Sequence, residues 1–239
     1  DGEDRYGYLA HYKEVLPSFW LAADTFSVGK DEEDIPFSNL AGEKFNAVFN
    51  KVFEMFHDTG AWYNGNGETW NLDIPDFCIE MFGAGQALFM DTTFHAMSRM
   101  RNISNIEYGI LPYPKWDVNQ AEYRSRVEYY NSQVVPSGVG NPDRTGMILE
   151  ALNCAYYNEF LPAYYEVALQ RKHTFDDESA EMLDIVFNTL VIDIGDTTLC
   201  DKVRDGIFMS MFQKNNRNLA SIAARCNTLI NNALKDFYA

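Results

Sequence analysis

Basic residues are scarce in this sequence. Lys and Arg number 19 against 35 Asp and Glu, which gives a formal net charge of −16. A chain this acidic repels the phosphate backbone of DNA and RNA, so nucleic acids are excluded as partners. The same charge argues against a protein that adheres to anionic lipid through its own surface.

Cysteines and long apolar runs are also scarce. The four cysteines, Cys78, Cys154, Cys200 and Cys226, lie far apart, form no CxxC pair and stand among apolar neighbours. This spacing disfavours a zinc site or a disulfide framework. No apolar run approaches the roughly 18–20 residues that span a bilayer. The chain opens at Asp1 without a leader or an initial Met, so we expect a piece of a longer polypeptide.

Familiar catalytic motifs are missing as well. The sequence contains no HExxH, no GxSxG and no P-loop, and the glycines at 83–85 lack the third glycine of a dinucleotide fingerprint. The acidic runs 31–34 and 176–178 are interpreted as solvated surface or helix caps. Residues 1–4 resemble half of a calcium loop, but a frayed terminus is the favoured interpretation. We therefore predict no metal site and no cofactor.

Apolar periodicity predicts an α/β fold. Residues 43–57 place six apolar side chains on one helical face, and further helices are predicted at 76–82, from 142 to about 157, from 177, and at 219–237. Compact apolar runs at 86–90 and 108–111 predict short strands, the first of them buried. Helices that are longer than the strands and interleaved with them are typical of the α/β class.

Aromatic residues are abundant, at 15% of the chain. Trp62, Tyr63 and Trp70 lie in a polar, glycine-rich stretch, and Trp116 lies in another polar stretch. Flat rings beside Asn, Asp and Thr suit a sugar pocket, because the rings stack on the apolar C–H faces of pyranoses. The alternative is that about half of these rings simply cover local hydrophobic surface.

Several segments together resemble a known family. The run EMFGAGQALFMDTTF at 80–94 is similar to the F-x-x-G-x-A-x-M segment of family 1 extracellular solute-binding proteins, the substrate-capturing subunits of carbohydrate ABC importers. YGILPYPK at 108–115 resembles the crossover that follows it in the family. NPDRTGMILEAL at 141–152 resembles the next helix, and DRYG at 4–7 resembles a motif found in the second lobe.

This resemblance implies a type II periplasmic-binding-protein architecture of two α/β lobes. Residues 1–107 would form the second lobe, and 108–128 the crossover. Residues 129–239 would return to the first lobe and supply C-terminal helices that pack across both. Most of the first lobe, with its signal peptide and lipid anchor, would be missing. The parent protein would be extracellular and anchored at the cell surface.

The implied function is binding without catalysis. A sugar or oligosaccharide would enter between the lobes, the lobes would close by hinge bending, and ABC permease subunits would recognise the closed state. Phe94 matches the family position of a ring that stacks on the sugar. Asp91 and Thr92 follow a strand, where open α/β sheets present ligand contacts. Trp62, Tyr63, Trp70 and Trp116 are further candidates for ligand binding.

Two other functions stay open from the sequence. A glycosidase-like enzyme would use a carboxylate pair, and a strongly raised carboxyl pKa in a closed pocket would favour it. A bare interaction module would instead present an aromatic surface without any concavity.

Overall fold

The computed structural model describes residues 4–63, 76–94, 97–100, 106–128, 133–165 and 176–238. The described residues form a mixed α/β fold, with about 51% of them in helices and with small sheets. The fold class predicted from the apolar periodicity is therefore confirmed. The finer assignment to the periplasmic-binding-protein architecture stays a prediction.

One parallel sheet organises the N-terminal half. It contains β1 (Tyr6–Leu9), β4 (Trp62–Tyr63) and β5 (Ala87–Met90), in the order β4-β1-β5. Tyr8 aligns with Trp62 on one side and with Phe89 on the other. The other strands form two small pairs: β2 (Val28–Lys30) with β3 (Pro36–Ser38), antiparallel, and β6 (Ser125–Arg126) with β7 (Leu190–Val191), parallel.

Helices surround these sheets. Their bounds are α1 (Tyr12–Ala22), α2 (Glu43–Phe53), α3 (Asp76–Gly83), α4 (Met97–Met100), α5 (Pro142–Ala155), α6 (Leu161–Ala163), α7 (Asp177–Asn188), α8 (Met209–Gln213) and α9 (Leu219–Tyr238). In the described ranges, π-helical turns adjoin them at Glu54–Asp58, Tyr156–Phe160 and Arg204–Phe208. The predicted helices at 43–57, 76–82, 142–157 and 219–237 are confirmed within a few residues.

The main core joins the two ends of the chain. The apolar face of α2 supplies Phe45, Val48, Phe49, Val52 and Phe53, all of which are buried as their spacing predicts. These side chains pack with residues of α1 and with buried residues between 199 and 230. Predicted inward residues of α9, among them Cys226 and Ile230, are fully buried in this core. The C-terminal helices therefore complete the body that β1, α1 and α2 begin.

The buried carboxyl group of Asp193 joins the C-terminal part of this body to α1 and to the residue before β2. Asp193 Oδ2 accepts hydrogen bonds from Trp20 Nε1 at 2.9 Å and from the Ser27 backbone N–H at 3.0 Å and hydroxyl at 2.8 Å. Gly195 follows closely, and a Cβ there would lie 2.0 Å from Ser27 Oγ. Glycine is required at 195 because the Ser27 side chain occupies that space.

Some predictions about individual elements are wrong. Residues 108–111 form no strand, because they run as extended chain beside α7, where the Ile110 N–H donates to Ser179 Oγ at 3.0 Å. The strand at 86–90 exists, but it is not buried: among the described strands, β5 pairs only with β1, and Leu88 is 71% exposed. Cys154 is exposed on α5 instead of lying among apolar neighbours.

Candidate functional site

The carboxyl edge of the three-stranded sheet is the candidate site. β1 occupies the centre, and the chain adds β4 on one side of it and then β5 on the other. In open parallel sheets, ligands bind outside the carboxyl ends of the strands, at the point where the strand order reverses. Leu9, Tyr63 and Met90 end their strands at this edge, so the residues that follow them are the first candidates.

Asp91 is held at this edge by backbone and side-chain contacts. Its backbone N–H donates to the Leu9 carbonyl at 2.8 Å, which continues the β1–β5 pairing by one residue. The Tyr8 hydroxyl donates to the Tyr113 hydroxyl at 3.1 Å, and Tyr113 also hydrogen-bonds the Asp91 carboxyl group. These contacts connect β1, β5 and the segment after residue 108 at one point.

Burial raises the pKa of Asp91 to about 7, and the hydrogen bond from Tyr113 lowers it only in part. A carboxyl group with this pKa exists in both protonation states near neutral pH. It donates a hydrogen bond when it is protonated and accepts hydrogen bonds in either state. Burial also raises the pKa values of Tyr8 and Tyr113, so both hydroxyls stay neutral. The three groups therefore offer donors and acceptors without a fixed charge.

A charged cluster lies next to these groups. Its members come from the start of α1, from β6 and the residues after it, and from the segment before α8: Lys13, Glu14, Arg126, Glu128, Asp196 and Arg204. Arg126 is central, because its guanidinium contacts Glu14 and also donates two hydrogen bonds to the Asp196 carboxylate, one of them from Nη2 to Oδ1 at 2.9 Å. Arg204 Nη1 lies 3.3 Å from Asp196 Oδ1.

The six members of the charged cluster are mostly buried and comprise three cations and three carboxylates. The partly exposed Asp205 adds a fourth carboxylate, which Arg204 Nε contacts at 2.8 Å. Burial opposes the charge of Glu14, but Arg126 and Lys13 outweigh burial and lower the pKa of that carboxyl group. Burial and the neighbouring Glu14 raise the pKa of Glu128. A buried pair is costly to break, because removing one partner leaves the other charge uncompensated. The cluster therefore fixes α1, β6 and the C-terminal body relative to one another.

Asp91 and the charged cluster share one electrostatic environment. Glu14 and Glu128 raise the pKa of Asp91, while Arg126 lowers it, although burial is the largest cause of its shift. Next to α1, burial lowers the pKa of His11 to about 4, so that ring is neutral at physiological pH. Because the cluster carries no net positive charge, this edge is poorly suited to an anionic ligand and better suited to a neutral one.

The residues that the sequence singled out lie at different distances from this edge. Asp91 and Thr92 are on it, and Tyr63 ends β4 beside it, with its ring 4.9 Å from that of Tyr6. Phe94 is half-buried, and Phe187 of α7 stacks on it at 4.7 Å with an 18° interplanar angle. One face of the Phe94 ring is therefore already occupied, and a ligand has at most the other.

Of the tryptophans predicted as ligand contacts, Trp62 is buried and Trp116 is exposed. Trp62 is only 7% exposed, its Nε1 donates to the Ala10 carbonyl at 3.2 Å, and its ring packs against Phe212. It is a core residue and offers a ligand almost no surface. Trp116 is 38% exposed, three residues after Tyr113, and its backbone N–H donates to Gln120 Oε1 at 2.9 Å in a turn.

Two predictions lie outside the described residues: Trp70 as a ligand contact and most of the half calcium loop at 1–4, of which only the exposed Asp4 is described. Among the described residues, no group of three or more His, Cys, Asp or Glu side chains is arranged to hold a metal ion. None of the helices in the described ranges combines the length and apolar character that crossing a bilayer requires.

Sequence reasoning did not assign roles to Tyr113, Arg126 or the charged cluster. Tyr113 lies inside the YGILPYPK motif, and an aromatic residue between two prolines was the available signal. Arg126 contacts Glu14 and Asp196, which are 112 and 70 residues away along the chain. No local pattern marks such partners, so a single sequence does not reveal them.

Comparisons with known proteins add no relatives. No protein-family model matches this chain, and neither a curated protein nor a solved structure matches it. The function of this chain is therefore inferred from its sequence motifs and from the geometry of the site.

Proposed function

We propose that this chain is the second lobe of an extracellular solute-binding protein, with segments that return to the first lobe, and that it binds a sugar or oligosaccharide. The observation that carries the proposal is the position of Asp91, with Tyr8 and Tyr113, at the carboxyl edge of the sheet where the strand order reverses. In this proposal the bound solute stabilises lobe closure, and permease subunits of an ABC importer recognise the closed form. The parent protein would be held at the cell surface by a lipid anchor.

The chemistry of the site fits a neutral polyhydroxyl ligand. Sugar hydroxyls both donate and accept hydrogen bonds, as do a protonated carboxyl group and two tyrosine hydroxyls. Thr92 is exposed and carries a hydroxyl, and the half-buried Tyr63 and Phe94 add ring surface for the C–H faces of a pyranose. Binding needs no cofactor in this proposal, because no bond in the ligand changes.

The experiment is a titration of the chain with glucose, galactose, xylose, maltose and cellobiose, followed by NMR. One lobe supplies half of the cleft wall, so we expect millimolar affinity, which amide shift perturbation detects. The expected result is a saturable shift of the Asp91, Thr92 and Phe94 signals by at least one sugar, weakened in Asp91→Asn. Asp58→Asn, which changes an exposed carboxyl at the end of the π-helical turn Glu54–Asp58 that pairs with Arg217, is the control and should bind like wild type. If no sugar shifts these signals, the proposal is wrong.

A glycosidase-like enzyme is the second candidate, and the raised pKa of Asp91 favours it. A general acid needs a pKa near the working pH, and Asp91 has one. The second carboxylate would come from Glu14 or Glu128, but both are engaged by Lys13 and Glu14 also by Arg126. Release of reducing ends from cellobiose or maltose during the same titration, abolished in Asp91→Asn, would support the enzyme and overturn the binding proposal.

A further inference from the structure

The ring of Phe94 is supported by Phe187, a residue for which the sequence predicted no part in binding. Phe187 lies in the last turn of α7, and the two rings are nearly parallel, with centroids 4.7 Å apart. Rings stacked at this distance are in van der Waals contact over one face. Phe94 is only half-buried, so part of its side chain still meets solvent. A sugar that stacks on Phe94 therefore does so on the side opposite Phe187.

Phe187 is itself held in place by its neighbours. The ring of Tyr165 meets it edge-on, with centroids 4.8 Å apart and an interplanar angle of 83°. The Tyr165 hydroxyl donates to the carboxylate of Asp184, which also belongs to α7. Leu183 lies one turn before Phe187 and is fully buried in the apolar cluster that contains both stacked rings. Rotation of the Phe187 side chain would break these contacts, so its ring is a fixed support.

The helix that carries Phe187 is attached at both ends. Near its start, the buried Ser179 accepts the Ile110 N–H through its Oγ at 3.0 Å. Ile110 packs in the same apolar cluster as Phe94. Just after the end of α7, the Thr189 carbonyl accepts the Ser125 N–H at 2.8 Å, where β7 pairs with β6. Because these bonds fix α7 beside the carboxyl edge of the sheet, the position of Phe187 relative to Phe94 is fixed as well.

A ring that is already in its binding orientation favours stacking on a ligand. A side chain that binding must first order weakens affinity by roughly two- to tenfold. Phe94 lies three residues after Asp91, so its orientation decides whether one sugar ring meets both groups at once. A leucine at 187 would fill much of the space behind Phe94, but it has no flat face to hold that ring parallel.

We propose that Phe187 is a positioning residue of the sugar site and holds the Phe94 ring in the orientation that stacks on the solute. This inference rests on the proposed function, and it names a supporting residue that the proposed function does not use. Phe187 itself does not touch the solute. α7 therefore belongs to the site, although it follows β5 only after a long stretch of chain.

The test repeats the NMR titration with glucose, galactose, xylose, maltose and cellobiose on variants of Phe187. Phe187→Leu removes the ring and should weaken binding of the sugar that wild type binds by about fivefold. The upfield shift that the Phe94 ring imposes on the sugar C–H protons should shrink with it. Phe187→Tyr keeps the ring, and position 187 is only half-buried, so the added hydroxyl has access to water. This variant should bind within about twofold of wild type.

Phe82→Leu is the matched control. Phe82 is also half-buried, but it packs against Tyr108 in a different apolar cluster. This variant should bind sugar like wild type, and circular dichroism checks that each variant is folded. In wild type, nuclear Overhauser contacts should join the sugar to Phe94 and Phe94 to Phe187, without a contact between the sugar and Phe187.

The outcomes separate the supporting role of Phe187 from sugar binding itself. A folded Phe187→Leu that binds as tightly as wild type, or a Phe187→Tyr as weak as Phe187→Leu, overturns this inference and leaves the proposed function intact. A direct contact between the sugar and Phe187 also overturns it, and that result needs no variant. A wild-type chain that binds none of the five sugars overturns both proposals.

Discussion

The body of the protein and its α5 segment use apolar residues in opposite ways. In the body, β1, α1, α2 and the C-terminal helices enclose their large side chains, and Phe53 is fully buried. In α5 and its continuation no side chain is buried, and Phe160 is 57% exposed. Both segments carry aromatic residues at helical spacing. Helical periodicity therefore shows which face is apolar, but it does not show what covers that face.

The two regions also differ in their charged groups. The body contains a charged cluster whose partners come from three separated segments, together with a half-buried Asp91. The cluster holds those segments in fixed positions, because separating them would leave buried charges without partners and would destabilise the fold. On α5 the charged side chains are exposed and available to an outside partner. The body is consequently expected to unfold as one cooperative unit, with α5 attached to it more loosely.

The largest expected effect is the difference in unfolding free energy between two variants, one that truncates a phenylalanine in the body and one that truncates a phenylalanine in the α5 segment. Phe53→Ala leaves a cavity in the core and should lower the free energy of unfolding by about 3–5 kcal/mol. Phe160→Ala removes a side chain from solvent-facing surface and should change it by less than about 0.5 kcal/mol. Urea denaturation at a concentration where the protein is monomeric measures both. Similar losses in the two variants would show that α5 is part of the core.

A second, smaller effect concerns Asp91 and pH. Its pKa is about 7 in the folded protein and about 3.9 in an unfolded chain. Between these values the folded state holds a proton that the unfolded state has lost. The contribution of Asp91 to the free energy of unfolding is therefore complete below about pH 4 and is lost as the pH rises to 7. The free energy of unfolding falls by at most about 1.4 kcal/mol per pH unit in this range.

The measurement for Asp91 is the difference in unfolding free energy between wild type and Asp91→Asn from pH 4.5 to 7.5. Wild type should lose stability relative to the variant as pH rises. Asp58→Asn is the control on the exposed surface. The hydrogen bond from Arg217 lowers the pKa of Asp58, so wild type should gain stability relative to this variant as pH rises through the acid range. Equal pH dependence in wild type and Asp91→Asn would contradict the raised pKa of the half-buried Asp91 carboxyl group.

The smallest effect compares two helix caps. Asn141 Oδ1 accepts the Arg144 N–H at 2.9 Å at the start of α5, and Asp176 Oδ1 accepts the Ser179 N–H at 2.6 Å at the start of α7. Asp176→Ala should cost about 1 kcal/mol of global stability, because α7 buries Leu183 in an apolar cluster with Phe94, Ile110 and Phe187. Asn141→Ala should leave global stability unchanged and speed amide exchange in α5 about fivefold. Equal global losses would show that α5 unfolds together with the body.

Much of the local structure was predictable from the residues. The apolar spacing of 43–57 and 219–237, the caps at Asn141 and Asp176, and the stop at Gly85, whose φ is +71°, are short-range signals. Asp91 at the end of β5 was also predictable, because polar residues follow a compact apolar run there. The strand at 108–111 was predicted wrongly, because a short apolar run next to two prolines fits an extended segment with no strand partner equally well.

The candidate site was only partly predictable, because some of its residues are brought together by contacts between distant parts of the sequence. Asp91 and Thr92 follow from local sequence, but Tyr113 and the charged cluster depend on contacts across 70 to 112 residues. Trp62 was expected to serve a ligand because of its polar neighbours, yet the fold inserts it between Phe56 and Phe212. A sequence window does not reveal which distant residue fills the space beside a side chain.

The sequence by itself determined the class of the fold, the positions of the principal helices and the acidic character of the surface, because spacing, capping and composition act within a few residues. Only the tertiary structure decided that the Asp91 carboxyl group would be kept partly protonated beside Tyr113, which the Tyr8 hydroxyl joins by a hydrogen bond, that Arg126 would be neutralised by two distant acids, and that α5 would leave its apolar side chains uncovered. Those outcomes depend on burial and on the distance between charges, and both are properties of the packed chain.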